Sequence, residues 1–436
     1  MHGALYPYWL SGAVAGHPID RATNKMARYS INTVGNGLKV VASSFPRLET
    51  VSIAFGVKYG SIDEKPKING AAHFLEHMLF KGTKKRTWKE INDQLKELGA
   101  YYNAFTDHET TVYFMQVYKG YFDKAMGILS DMIKNSTIPE KEFELERGPI
   151  INENLIRHDN SRYMVSDYMP QALYRRHPAR MTVGGDNEKT IMNVERSDLL
   201  EIYNDYYTPG NSVLSIYGGI STKEAMASAA RHFDDFEGDY REPKRAPSRE
   251  KQEKRALTIS RKGIRQTRLG IGFKCSEFRE DRIDEFVSMH VIERYLDDRL
   301  FEEIREKRGL SYDPMAVYSP YSTFGFIAAA AGIEPSMAGQ AKSIMLNEFR
   351  KLQDGDIDLS DLRRTRQSLY VDGKVKRENT ANMSIGAAVF ELMYGGAGLF
   401  DALPALIRAS SLEDIREFAG KYIDTERYGM VMLKPS

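Results

Sequence analysis

The sequence predicts an α+β protein built from two homologous domains, and three observations carry that expectation. Runs of strand-like stretches are followed by runs of helix-like ones rather than alternating with them one by one. A stretch at 237–254, "EGDYREPKRAPSREKQEK", is mostly charged, holds two prolines and shows no apolar period, so it reads as a linker. Beyond it the pattern begins again. "VSIAFGVKYGSIDE" (51–64) aligns without gaps on "TRLGIGFKCSEFRE" (267–280), and "LGAYYNAFTDHETTVYF" echoes "RGLSYDPMAVYSPYSTFGF". The repeat is roughly 210 residues long, as expected for two copies of one fold. At 436 residues the chain is also too long for one ordinary core.

The elements follow in order. "YSINTV", the turn Gly35-Asn36-Gly37 and "LKVVASS" predict a strand pair, and "TVSIAFGVKYGS" a further strand of alternating apolar residues. Helical spacing marks "AHFLEHMLFKG", "WKEINDQLKELG" and "YFDKAMGILSDMIKN", with another strand pair in "AYYNAFTDHETTVYFMQV" and a strand at "SVLSIYGGI". The expected division is an extension at 1–27, a first domain at 28–236, the linker at 237–254 and a second domain at 255–436. The extension carries Ala13-Val14-Ala15, which imitates a cleavage site, but Pro7 interrupts its apolar part and no basic residues lead it. A cytoplasmic location is therefore expected, with secretion the alternative.

Composition excludes several classes. With 61 Lys+Arg against 60 Asp+Glu the net charge is +1, which gives no reason to expect a nucleic-acid or membrane partner. The longest apolar run, "FGFIAAAAGI" at 324–333, is half what a bilayer requires and suits a buried strand. A lone cysteine, Cys275, can form no internal disulfide or thiolate cage and reads as an apolar filler in a strand.

"AAHFLEHMLFKGTKK" (71–85) holds His73, Glu76 and His77 within one turn. On a helix, positions i and i+4 share a face, so two imidazoles can reach one ion at about 2.0–2.1 Å if it is zinc. Glu76 is then placed to reach a metal-bound water, whose pKa zinc lowers to about 7. A third ligand must come from elsewhere. Cobalt or manganese would also accept two imidazoles and a carboxylate. Nine histidines give such a motif by chance at times. The equivalent stretch of the second copy, "FVSMHVIERYLDDRL", lacks it.

"HFLEHMLFKGT", "ELGAYYNAFTDHETTVYF", "LYRRHPARMTVGG", "YYTPGNSVLSIYGGI" and "IREKRGLSY" together resemble the pitrilysin-type (M16) zinc metallopeptidases. This is the family of the mitochondrial processing peptidase and insulin-degrading enzyme, and the H-x-x-E-H order is its inverzincin signature. Length and repeat are similar to its short, dimeric branch. The resemblance implies mostly antiparallel sheets packed with helices, and a clam-shell chamber closed by dimerisation. It implies zinc held by His73, His77 and Glu153, with Glu76 as general base in an endopeptidase acting on unfolded peptides or leader segments.

It further implies that Glu146, seven residues before Glu153, supports catalysis, although Gly148-Pro149 falls between them and would kink or restart a helix. Asn103 and Ala104 of an edge strand are implied substrate contacts. Arg305 and Tyr312 are implied to reach the substrate, the tyrosine steadying the oxyanion; from the residues alone Arg305 reads as a solvated helix charge. In four-domain relatives such a pair lies in the fourth domain, so Tyr312 is expected to serve the zinc site of a partner in a homodimer, with a heterodimer or a non-catalytic subunit as alternatives. His108, His158, His177, His232 and His290 show no ligand spacing and read as surface or satisfied residues, Trp9 as a tail residue and Trp88 as packing.

Overall fold

The computed structural model describes residues 29–157, 161–185, 187–262, 264 and 266–436. The extension at 1–27 with Trp9, and His158, lie outside the described residues. Among the described residues the strands form two sheets. The first contains β1 (Ser30–Thr33), β2 (Lys39–Ser44), β3 (Thr50–Val57), β4 (Tyr101–Thr106), β5 (Thr111–Tyr118) and β6 (Ser212–Gly218). The second contains β7 (Arg255–Arg261), β8 (Thr267–Cys275), β9 (Met315–Pro320), β10 (Gly325–Ile333) and β11 (Gly429–Pro435). The helices used below are α1 (Ala71–Met78), α2 (Glu140–Arg157), α3 (Ser161–Leu173), α4 (Ile283–Leu300) and α5 (Thr380–Tyr394).

The first sheet runs β1-β2-β6-β3-β5-β4 and the second β7-β11-β8-β10-β9. Set β1 aside and the two orders coincide strand for strand. Even the parallel pair recurs, β2 with β6 and β7 with β11, while the other pairings are antiparallel. The repeat seen in the sequence is thus a repeat of topology. Both sheets are mixed, although antiparallel pairing prevails as expected.

The chain divides into two compact units, each assembled from three segments. One holds 1–152, 183–245 and 375–402; the other holds 153–182, 246–374 and 403–436. These differ from the contiguous halves at 28–236 and 255–436. The reason lies in the strands, whose side chains alternate between two faces. On one face of the first unit's sheet Val40, Ile53, Phe55, Tyr113 and Met115 join the main core. On the other face Ala54, Val112 and Phe114 are equally buried, against Ala381, Ile385, Ala388 and Val389 of α5. A sheet that is apolar on both faces needs a helix on each, and α5 comes from late in the chain. Each buried Ile, Val or Phe contributes roughly 1.5–3 kcal/mol.

In the second unit α3 does the corresponding work, laying Met164, Val165 and Met169 on β8. A Cβ at Gly270 would lie 3.1 Å from the Met169 methyl, and one at Gly272 would lie 2.8 Å from its sulfur. Glycine there permits the close approach of helix to strand. Cys275 ends β8 as a buried residue, as the sequence suggests. The stretch 237–254 has no helix or strand, but its charges are not all solvated. The Arg245 side chain is only 7% exposed and grips Asp63 with Nε and Nη2, at 2.9 and 2.6 Å. Glu250 accepts the backbone N–H groups of Arg175, Arg176 and His177. No single helix among the described residues is long and apolar enough to cross a membrane.

Candidate metal centre

Helix α1 divides its two faces by residue type. Ala71, Phe74, Leu75 and Met78, spaced i, i+3, i+4, i+7, enter the core. His73, Glu76 and His77 occupy the opposite side, with their imidazole rings 4.7 Å apart. The helix begins at Gly70, whose φ of +100° is the left-handed region. A Cβ there would meet the Ile191 side chain at 2.5 Å. Its first turn is satisfied by Glu64. The carboxylate of Glu64 accepts from Gly70 N at 2.8 Å, Ala72 N at 2.7 Å and the Asn69 side chain at 2.7 Å. Burial pushes its carboxyl up to about 8 against the pull of these three donors.

Helix α2 docks on α1 through stacked rings, Phe74 on Phe143, with centroids 4.8 Å apart. That contact aligns the two acidic positions with the two histidines. Pro149 lies inside α2 and neither ends it nor restarts it; the helix is continuous over Glu140–Arg157. Glu146 and Glu153, two turns apart, therefore share a face. Glu146 Oε1 lies 2.9 Å from His77 Nδ1, and Lys81 pairs with its other oxygen. Burial pushes the Glu146 carboxyl up, but the bonds from His77 and Lys81 outweigh it and hold it below its ordinary value. With Nδ1 occupied in this way, His77 presents Nε2 to an ion, the arrangement by which a carboxylate orients a ligating imidazole.

His73, His77 and Glu153 each offer one donor atom, and these atoms all lie within 4.8 Å of one another. Two imidazoles and one carboxylate are a catalytic zinc donor set that leaves a fourth position open. Donors around a tetrahedral ion with bonds of about 2.0–2.1 Å sit roughly 3.3–3.5 Å apart, so small side-chain rotations suffice. The residues present fit a zinc ion. Glu76 stands apart from this group, its Oε2 accepting a hydrogen bond from the Thr106 hydroxyl at 2.7 Å.

Residues 39–187 match the family described as insulinase (peptidase family M16), and residues 193–369 match the peptidase M16 inactive domain. An uncharacterised zinc protease of Bacillus subtilis is 29% identical over 406 residues, 93% of this chain and 98% of that protein. A similar zinc protease of Rickettsia felis is 30% identical over 299 residues, 68% of this chain and 71% of its own length. The chain belongs to peptidase family M16. The mitochondrial-processing peptidase subunit beta of Mus musculus is 37% identical over 205 residues, 47% of this chain and 42% of that protein. In fold, a protease from Helicobacter pylori is similar with a TM-score of 0.86 at 21% identity, over 93% of this chain and 99% of that one.

The remaining expected site residues of this M16 chain can now be placed. Asn103 and Ala104 are in β4, the edge of the first sheet, paired to Phe114 and Tyr113 of β5. The Ala104 N–H donates to the Asn103 side chain at 2.9 Å, so an incoming strand must exchange that bond for its own. Arg305 belongs to a π-helical turn, Phe301–Glu306, and stacks on the Tyr312 ring at 4.3 Å while donating to the Tyr312 carbonyl at 3.3 Å. Tyr312 itself is 80% exposed. The two side chains thus lie against each other, with the Tyr312 ring largely in solvent.

The other described histidines have partners of their own. His108 bonds Ser61 at 2.9 Å, His232 bonds Asp123 at 3.1 Å and His290 bonds Glu293 at 3.2 Å. His177 accepts from Ala179 N, and burial lowers its pKa. Trp88 differs from expectation. As the first residue of the helix Trp88–Glu97 it sits on an exposed turn, with 45% of its surface in solvent. Sequence reasoning passed over Glu64, Lys81 and Thr106. Glu64 and Lys81 carry no spacing signal, and Thr106 closes the "NAFT" segment already attributed to substrate contact.

Proposed function

We propose that this M16 chain is a zinc-dependent endopeptidase of the H-x-x-E-H type that hydrolyses unfolded peptides or leader segments. The observation that carries the reading is the convergence of His73, His77 and Glu153 donor atoms within 4.8 Å. Zinc bound there supplies Lewis-acid polarisation of the scissile carbonyl and of the attacking water. The edge strand β4 aligns the peptide by main-chain hydrogen bonds, with Asn103 and Ala104 in contact. Glu76 takes a proton from the attacking water and passes it to the leaving nitrogen as the C–N bond breaks, which leaves a free carboxylate and a free amine. Glu146 fixes the His77 ring. Arg305 and Tyr312 contact the substrate, the Tyr312 hydroxyl donating to the developing oxyanion. The chain works as a homodimer enclosing a chamber; the similarity to a protein named as a subunit supports assembly and makes a heterodimer the second reading.

The test is digestion of an unbiased peptide library read by mass spectrometry, with metal content measured in parallel. Glu76→Gln is expected to retain about one zinc per chain yet lose 10²-fold or more in rate, on the order of a lost general base. His73→Ala and Glu153→Ala are expected to lose zinc itself. Wild-type cleavage by Glu76→Gln would overturn the mechanism, and a metal-loaded chain that cleaves nothing would overturn the activity.

A further inference from the structure

The bond from Thr106 to Glu76 joins the end of the edge strand to the helix that carries the histidines, and the turn beyond it is densely hydrogen-bonded. Both partners are buried, with Glu76 7% and Thr106 3% exposed. The turn that follows the donor is held on several sides. Asp107 N donates to Thr110 O at 2.8 Å, while Ser61 N and Ile62 N donate to Asp107 O and His108 O. Arg245 adds a bond from Nη2 to the Glu109 carbonyl at 2.6 Å while gripping Asp63. Four successive polar residues, Asp107, His108, Glu109 and Thr110, are each at most 3% exposed. On the inner side, the Thr111 hydroxyl lies 3.4 Å from the Thr106 hydroxyl and donates to the Tyr59 carbonyl at 3.1 Å. An ionised carboxylate can only accept, so the Thr106 hydroxyl is the donor of the bond to Glu76.

We infer that Thr106 is a positioning residue for Glu76, a role that rests on the reading of Glu76 as the base. By donating to Oε2 it reserves Oε1 for the proton taken from water. It also restrains the carboxylate from turning towards the ion as an extra ligand, which would close the open position. Because Thr106 lies two residues beyond Ala104 on the same strand, and alternate residues of a strand share a face, the strand that receives the peptide and the base that acts on it are set by one piece of backbone. A peptide paired to β4 is thereby registered to Glu76 without any adjustable joint.

The experiment compares Thr106→Val, which keeps the shape but has no hydroxyl, with Thr106→Ser, which restores the donor. Thr106→Val is expected to lower kcat by roughly 10–100-fold, the scale of a lost bond to a charged group, with KM within about twofold and about one zinc per chain retained. Thr106→Ser is expected to remain within about threefold of wild type. A second readout needs neither metal nor turnover. In urea unfolding of the metal-free protein, the Thr106→Val and Glu76→Ala effects are expected to be non-additive, the double variant losing less than the sum. Wild-type kcat in Thr106→Val, loss of zinc from it, failure of Thr106→Ser to restore the rate, or additive stabilities would each overturn the inference. An active Glu76→Gln would instead overturn the reading of Glu76, so the two failures are distinguishable.

Discussion

Glu64 shows how much of the centre depends on a residue that touches neither metal nor substrate. Its carboxylate takes over three donors at the start of α1, two of them backbone N–H groups that the helix cannot satisfy internally. Burial nevertheless raises its pKa from an ordinary 4.5 to about 8. A group whose folded pKa lies above its unfolded one contributes stability that is full below the unfolded value and is lost as pH rises through the folded value. The metal-free wild type is therefore expected to lose stability relative to Glu64→Gln between about pH 4.5 and 8. Urea midpoints of both proteins across that window test it; a constant difference would show that the three donors keep the carboxylate charged throughout.

At the scale of elements, α1 and α2 form the centre by presenting apolar residues to each other and charged residues to one side. Helix α2 achieves this with a weak middle, since Gly148 and Pro149 are two of the poorest helix formers. Proline removes one backbone donor and glycine adds unfolded-state entropy. The packing of Phe143 and Ile150, both at most 1% exposed, offsets that cost. A Cβ at Gly148 would meet nothing within 4 Å. Gly148→Ala is accordingly expected to stabilise the protein by about 0.5–1 kcal/mol, a rise of about 0.5–1 °C in Tm by calorimetry. A lower Tm would mean that the backbone at Gly148 has to bend.

For the molecule as a whole, the two sheets repeat one topology, but among the described residues the paired histidines of the donor set occur only on α1, in the first repeat. Helix α4 occupies the place in the second unit that α1 has in the first, between the third and the last strand of the shared order. It keeps His290 and Glu293 but has Arg294 where the second histidine would stand, and that fixed positive charge pairs with Asp298 at 3.3 Å. The second unit also holds the half-buried Arg305 and the exposed Tyr312, which the proposed function assigns to substrate contact. If these serve a partner's site, Glu76→Gln and a Tyr312→Phe/Arg305→Ala double variant are each nearly inactive alone. Co-refolded in equal amounts, they are expected to regain about a quarter of wild-type activity, since half the dimers are mixed and each mixed dimer has one intact site. An active monomer by light scattering, or no recovery in isolated mixed dimers, would count against the shared chamber.

The local facts were legible in the sequence. Alternation of apolar residues marked the strands, the spacing of His73 and His77 marked a helix face with two imidazoles, and similarity between 51–64 and 267–280 marked the repeat. Such signals are written over a few neighbouring residues, where backbone geometry alone decides which side chains meet. What the sequence could not state is which distant elements cover which faces. The alternation in β3 and β5 says that both sides are apolar, but not that α5 fills one of them. Nor does proline at 149 announce that α2 continues, because the energy that keeps it helical comes from Phe143 against Phe74 on another helix. The carboxylate of Glu64 under α1 and the hydroxyl of Thr106 on Glu76 belong to the same class. Each is one hydrogen-bonding group with no periodicity, brought to its partner by the packing of whole elements, and only the tertiary structure decided its place.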